Sequence, residues 1–325
     1  MRALLWLTVL AFAGWSGWWW VASGAARTGA ETTLATMQAQ GWQVDHDGLS
    51  VAGYPNRIDL TANAPRLDSP DGRWGWSAAF AQVFALSYKP WHLIAVFPPE
   101  QTLRTPVGPW ALWSDSLRSS LVLVPGSDLA LDRFQLSGEA LRLGGGVATG
   151  ADSLSFATRP AVGEALAHDV GLDIRNIHVD PRLTATLPPG LLPDRAAVVR
   201  LDAVAGFNRP LDRHALTTPP RLTGVTVREA RAEWGAIRLH LSGRLAPDAA
   251  GFAEGQLDLR LEGAQTALEL AVATGLIAPN ARGTWAAMLA SVAPGATPVT
   301  LPLRLSRGMV SLGPLPLGPA PRMVW

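Results

Sequence analysis

The sequence contains no cysteine, which excludes disulfides, thiolate metal sites and thiol nucleophiles. The redox compartment stays open, because a chain without thiols tolerates any. Lysine is almost as scarce: Lys89 stands alone, and the remaining permanently charged basic residues are arginines. That removes a Walker-type phosphate loop and a Ser-x-x-Lys pair, which both need a lysine at fixed spacing. Arginine in place of lysine follows more simply from a GC-rich genome than from an arginine-built phosphate site. Charged residues make up 16% of the chain, against roughly 25% in an ordinary soluble protein. The net charge is +1 and the arginines are dispersed, so nucleic acid is not an expected partner.

Catalytic signatures are missing too. There is no Gly-x-Ser-x-Gly elbow and no His-Glu-x-x-His pair. The histidines (His46, His92, His168, His178, His214, His240) do not pair at helical metal spacing. Asp45-His46-Asp47 offers three ligand types, but adjacent strand residues point to opposite faces and would not converge on one ion. His240 alternates with leucines and reads as a surface residue. Gly144-Gly145-Gly146-Val147-Ala148-Thr149-Gly150 lacks phosphate-loop spacing and reads as a turn. Asp173 and Asp180 flank the strand-like Ile174-Arg175-Asn176-Ile177-His178-Val179, and nothing else marks them as a carboxylate pair. The sequence therefore nominates no catalytic, cofactor-binding or metal-binding residue.

What the chain does contain begins near its N-terminus. No charge occurs between Arg2 and Arg27. About 20 helical residues rising ~1.5 Å each cross a hydrocarbon layer of about 30 Å, so this run can span a membrane. Trp18, Trp19 and Trp20 stand near its far end, where indoles favour the lipid–water interface. Arg2 favours leaving the near end in the cytoplasm; Arg27 weakens that argument. The small residues Ala22-Ser23-Gly24-Ala25-Ala26 offer a signal-peptide cleavage site as the alternative. The long apolar run and the crowding tryptophans favour an uncleaved anchor over 1–27. Helical pattern continues to Gln40 and stops at Gly41, a good residue just beyond a helix end. Residues 28–325 are then expected outside the cytoplasm, in the periplasm of an inner-membrane, single-pass protein.

From Trp42 onward the period becomes that of strands. Gln43 to Val51 alternates loosely before Gly53-Tyr54-Pro55 breaks it. In Arg57-Ile58-Asp59-Leu60-Thr61, Ile58 and Leu60 share one face. Asp71-Gly72 marks a hairpin tip. Ile237, Leu239 and Leu241 oppose Arg238, His240 and Ser242, while Leu257, Leu259 and Leu261 oppose Asp258, Arg260 and Glu262. Leu301, Leu303 and Leu305 repeat the pattern, with Pro302 expected where its missing N–H costs no ladder bond. Helices are expected over 265–277 and 284–292. The proline-rich 181–220 is the expected irregular connection between two halves. Scattered glycine (32) and proline (26) fit many turns between short strands. The fold class is mainly β: a large twisted antiparallel sheet, either an open curled groove or sandwich-like, with an N-terminal helix and a few short ones.

Such a sheet must cover its apolar face with helices, a second sheet or an apolar ligand. Ile58, Leu60, Ile237, Leu239, Leu241, Leu257, Leu259, Leu261, Leu301, Leu303 and Leu305 are the apolar-face candidates. Membrane lipid is the expected partner of the anchor and a candidate ligand of this face. The functional expectation is a non-enzymatic envelope protein that binds or guides lipid or another apolar component. A closed β core serving as a scaffold or protein-binding module is the alternative, and a hydrolase with a dispersed active site is a third class.

Several short motifs also resemble a known family. Gly53-Tyr54-Pro55-Asn56-Arg57-Ile58-Asp59-Leu60, following an anchor and short helix, is similar to the opening of domain-of-unknown-function family 2125. Pro90-Trp91-His92, Glu233-Trp234-Gly235-Ala236-Ile237-Arg238-Leu239, Leu241-Ser242-Gly243-Arg244-Leu245 and the ending from Gly308 to Pro321 extend the likeness over nearly the whole chain. This resemblance implies an envelope protein of the kind found mainly in alphaproteobacteria, without an assigned activity. Leu241-Ser242-Gly243-Arg244-Leu245, followed by Gly251, Gly255 and the 257–261 strand, also resembles repeats of AsmA-like envelope proteins. That second likeness implies long sheets with an apolar groove and a part in lipid traffic, and it supplies no catalytic residue.

Overall fold

The computed structural model describes residues 1–145, 148–292, 298–313 and 315–323. Gly146 and Val147 of the expected glycine-rich turn, and Pro314 of the C-terminal motif, lie outside the described residues. Twenty strands form one antiparallel open sheet, accompanied by a long N-terminal helix and a few short ones. By internal contacts the chain divides into Met1–Gly138 with Asp212–Pro219, and Glu139–Leu211 with Pro220–Trp325.

In the first unit, α1 (Arg2–Ala39) runs unbroken for 38 residues. It ends where expected: Gly41 takes φ +88°, a left-handed conformation that glycine adopts without Cβ strain. Eleven strands follow: β1 (Gln43–Asp45), β2 (Gly48–Ala52), β3 (Arg57–Asn63), β4 (Arg66–Asp68), β5 (Gly75–Ala78), β6 (Phe80–Leu86), β7 (Lys89–Phe97), β8 (Glu100–Thr105), β9 (Gly108–Trp113), β10 (Ser116–Leu123) and β11 (Leu131–Leu143), the last crossing the unit boundary. They pair as two parallel series, β1–β4–β5–β8–β9–β11 and β2–β3–β6–β7–β10. The series are two ends of the same long hairpins, broken at one level. His46-Asp47, Ala64-Pro65, Ala79, Pro98-Pro99 and Ser114-Asp115 fall at that level. The prolines there cannot donate to a ladder, and Ala64 adopts φ +44°. Backbone bonds nonetheless bridge the break, from Asp47 N–H to Asn63 O, Ala64 N–H to Ala79 O and Ser114 N–H to Pro99 O.

The second unit is a plainer meander. Its strands are β12 (Ala148–Pro160), β13 (Ala167–Val179), β14 (Arg195–Phe207), β15 (Leu222–Trp234), β16 (Ile237–Pro247), β17 (Ala253–Glu262), β18 (Val299–Ser306), β19 (Met309–Leu312) and β20 (Leu315–Pro319), each paired to the next. Helix α2 (Pro181–Ala185) precedes β14; α3 (Ala264–Ala273) and α4 (Arg282–Val292) lie between β17 and β18. The stretch 181–220, read from its prolines as irregular, thus contains α2 and the 13-residue β14. Helix α3 stops short of the expected 277 because Gly275 turns left-handed at φ +75°. Among the described residues, β19 pairs with β18 only from Leu303 onward, so Pro302 has a partner on one side, as its missing donor requires.

Candidate functional site

Antiparallel register places directly opposed residues on one face, so the apolar face of the second unit can be followed strand by strand. One row runs Phe156, Leu172, Leu201, Ala230, Leu241, Leu259, Leu301 from β12 to β18. Its neighbour runs Leu154, Ile174, Val199, Ala232, Leu239, Leu261, Val299. Leu257 faces Leu303, and Leu305 faces Gly255. Eight of the nominated leucines, Leu239, Leu241, Leu257, Leu259, Leu261, Leu301, Leu303 and Leu305, therefore lie on the same face of their strands.

Cover over that surface is uneven. On the β17–β19 side, Leu268 of α3, Ile277 and Trp285 of α4 pack onto Val299, Leu301 and Leu312, with Leu259 and Leu303 partly enclosed. Leu257 and Leu305 join Ala253 and Ala320, and Ile237 packs with Leu187 and Leu192. Of the apolar-face candidates, Ile237, Leu257, Leu301 and Leu305 are thus buried. Leu239, Leu241 and Leu261 are half-buried. Toward β12, Leu154, Leu172, Ile174, Val199 and Leu201 are half-buried as well. These five were missed from sequence although Leu154, Ile174 and Leu201 stand between polar neighbours, because glycine, alanine and bulges interrupt their strands. Ile58 and Leu60 belong to the first unit: Ile58 is buried and opposes Ala85, whereas half-buried Leu60 lies between Val51 and Val83.

The opposite face is wet and charge-laced. Arg228 binds Asp169 at 2.5 Å and Asp202 at 2.8 Å, and Arg159 reaches Asp169 at 3.3 Å. Glu233, Arg238 and Glu262 alternate in sign across three strands. His240 sits 3.7 Å from Glu229 on this side, as its alternation suggested. Asp173 pairs with Arg175 at 2.7 Å, and Asp180 caps α2 through the Arg182 N–H, so each has a structural partner. His46 lies at the β1–β2 break, where its Nδ1 accepts the Gly48 N–H. Among the described residues, no group of three or more His, Asp or Glu side chains is placed to hold a metal ion.

Among the described residues, His168 is the one buried imidazole. It is 7% exposed, its Nδ1 has no partner, and its ring stands edge-on to Phe207 at 6.1 Å. Burial pushes its pKa below the ordinary value, against a smaller upward pull from Asp169. The folded protein keeps this ring neutral while the unfolded chain protonates near pH ~6.5, so stability falls as pH drops below about 6.5. Asp169, held low chiefly by its hydrogen bond from Arg228, adds a separate loss below about pH 4. His168→Phe should flatten thermal melting between about pH 7 and 5 and leave the acid limb in place. A mutant whose melting temperature tracks the parent through that window would show that His168 is not responsible.

The junction between α1 and the first unit's sheet carried no signal, since it links residues 38 to 69 apart. Trp15 Nε1 donates to Pro55 O (3.1 Å), Trp18 Nε1 to Ser87 O (3.0 Å) and Trp19 Nε1 to Arg57 O (2.6 Å). Trp19 also stands edge-on to Tyr54 at 5.3 Å, and the Tyr54 hydroxyl lies 2.8 Å from Ser16 Oγ. Since Ser16 gives its proton to Phe12 O, Tyr54 is the donor in that pair. Two hairpin tips, 53–56 and 87–88, are thereby bound to the middle of the apolar helix.

A family model described as "Uncharacterized protein conserved in bacteria (DUF2125)" matches residues 19–321. No curated protein and no solved structure matches the chain. The family match spans the tip motif, both long meanders and the C-terminal strands, so the chain belongs to the bacterial family DUF2125.

Proposed function

We propose that this chain is an inner-membrane-anchored, periplasmic protein that holds an apolar sheet face ready for lipid or another apolar envelope component, without catalysing a reaction. The observation that carries the reading is the uneven cover of one continuous face. Helices α3 and α4 enclose its β17–β19 end, while the same rows continue through Leu241, Leu201 and Leu172 as half-buried residues. Half-buried rows of large aliphatic side chains gain free energy from an added apolar layer at about 25 cal/mol per Å². Anchorage supports lipid as that layer, since α1 is long and apolar enough to cross a bilayer. Retention of the anchor is favoured by the tryptophan contacts. Cleavage within 22–26 would remove all three indoles and strip the tip carbonyls of their donors.

The test uses the full chain, delipidated and then offered a fluorescent fatty acid in the presence of an aqueous quencher. Protection is expected, and Leu172→Arg or Leu201→Arg should weaken it by about tenfold, roughly 1.4 kcal/mol, with circular dichroism unchanged. Leu259→Arg, placed beneath α3 and α4, should instead unfold that end. A parent protein that gives no protection, or arginine variants that protect equally well, would favour a closed scaffold.

A further inference from the structure

The helix and the hairpin tips together constrain where the first unit sits relative to a bilayer. The uncharged run extends from Ala3 to Ala26, and about 20 helical residues are needed to cross a core of about 30 Å. Every 20-residue window inside that run contains Trp15, Trp18 and Trp19. In the window closest to the N-terminus, Trp19 lies about 5 Å inside the hydrocarbon boundary and Trp15 about 10 Å; later windows place both deeper. These side chains are bound to Pro55, Arg57 and Ser87, so the tips must share their level.

We propose that the tips 53–56 and 87–88 are embedded, beside α1, in the membrane leaflet on the domain's side. Backbone at that level survives only if its polar groups are satisfied within the protein. Here they are. Pro55 O, Arg57 O and Ser87 O each accept an indole N–H, and Asn56 O accepts both the N–H (2.9 Å) and the hydroxyl (3.1 Å) of fully buried Ser87. Gly53 O accepts the Arg57 N–H. Thr8 and Ser16 hide their hydroxyl protons on Leu4 O and Phe12 O. The side chains that do point outward suit the interface: Tyr54 is 47% exposed, Tyr88 58% and Trp20 77%. Amphipathic rings are favoured at headgroup level. Lys89, the chain's single lysine, is exposed next to Tyr88 and long enough to carry its ammonium up to lipid phosphates. Indole donors in water would gain little from capping carbonyls that water satisfies equally well; in lipid each bond replaces an unmet group.

Because the chain has no cysteine, single probes can be placed cleanly. Asn56→Cys and Tyr88→Cys carry an environment-sensitive label at the tips, where neither native side chain makes a capping bond. Leu7→Cys reports the helix interior, and Ala39→Cys lies about 30 Å along the helix from Trp19. Each full-length variant is reconstituted in phosphatidylethanolamine–phosphatidylglycerol vesicles. Quenching by lipid bearing a nitroxide high on its acyl chain is compared with quenching by aqueous iodide. The tip labels should lose several-fold more emission to nitroxide lipid than Ala39, with the iodide order reversed. Either tip label matching Ala39 while Leu7 is quenched by lipid overturns the proposal; an unquenched Leu7 overturns it too, by removing α1 from the bilayer. Neither result depends on whether the apolar sheet face of the second unit takes up lipid.

Discussion

Trp285→Ala should lower the free energy of unfolding by about 3–5 kcal/mol, the range for removing a large aromatic from a packed interior. Trp285 is 8% exposed in α4 and stands in the cluster that closes the β17–β19 end, with Leu268, Ile277, Val299, Leu301 and Leu312 around it. Truncation leaves a hole that neighbours fill only in part, and two short helices have little else to hold them. Arg282 of α4 bonds Glu269 of α3 at 2.5 Å, but both side chains are substantially solvated, so that pair adds little. The loss should appear as a lower urea midpoint by circular dichroism. Binding of a hydrophobic dye should rise, because Leu301 and Leu303 lose their cover. A midpoint unchanged by the substitution would mean that α3 and α4 do not seal this end.

Gly255→Ala should destabilise by about 3 kcal/mol or more, and Gly243→Ala by a similar amount. Both positions lie inside strands, where glycine is ordinarily a weakness. The two glycines take φ +146° and +145°, a region that side-chain-bearing residues rarely adopt. A Cβ at Gly255 would stand 2.2 Å from Arg244 O, and one at Gly243 2.3 Å from Gln256 O. Each glycine of the β16–β17 pair therefore lets its own strand approach the carbonyl of the other. Gly224→Ala is the control, since its nearest neighbour would be Leu245 O at 3.4 Å without a positive φ. It should shift stability by no more than about 1 kcal/mol. A Gly255→Ala protein that melts with the Gly224→Ala control would remove the steric argument.

These glycines illustrate what a linear reading reaches and what it does not. Strand alternation was legible in Ile237 to Ser242, Leu257 to Glu262 and Val299 to Ser306, because each leucine opposes a polar neighbour with period two. The helix end at Gly41 and the Asp71-Gly72 turn were legible for the same local reason, as each is decided by the residue that adopts the conformation. Gly243 and Gly255 look like linker residues until cross-strand register brings Gly243 against Gln256 O and Gly255 against Arg244 O. Likewise, the level break through the first unit is written as Ala64-Pro65, Pro98-Pro99 and Ser114-Asp115, signals that read singly as turns. Pro181 to Pro220 misleads in the opposite sense: its prolines cluster before residue 194 and after 208, leaving β14 clean between them. The uneven cover of the apolar face depends on where α3 and α4 dock, which no periodicity encodes.

The continuity of α1 has a mechanical consequence. Proteins tethered through a floppy linker sample many heights and tilts above their bilayer. Here the helix runs from a stretch long and apolar enough to cross a bilayer to Ala39 without interruption, and Gln38 Nε2 ties its far end to Val44 O at 3.0 Å while the indoles tie its middle to the hairpin tips. Clamped at two points, the first unit is held at a set angle to this helix, its β1 and β2 strands running back alongside the shaft toward the helix's apolar half.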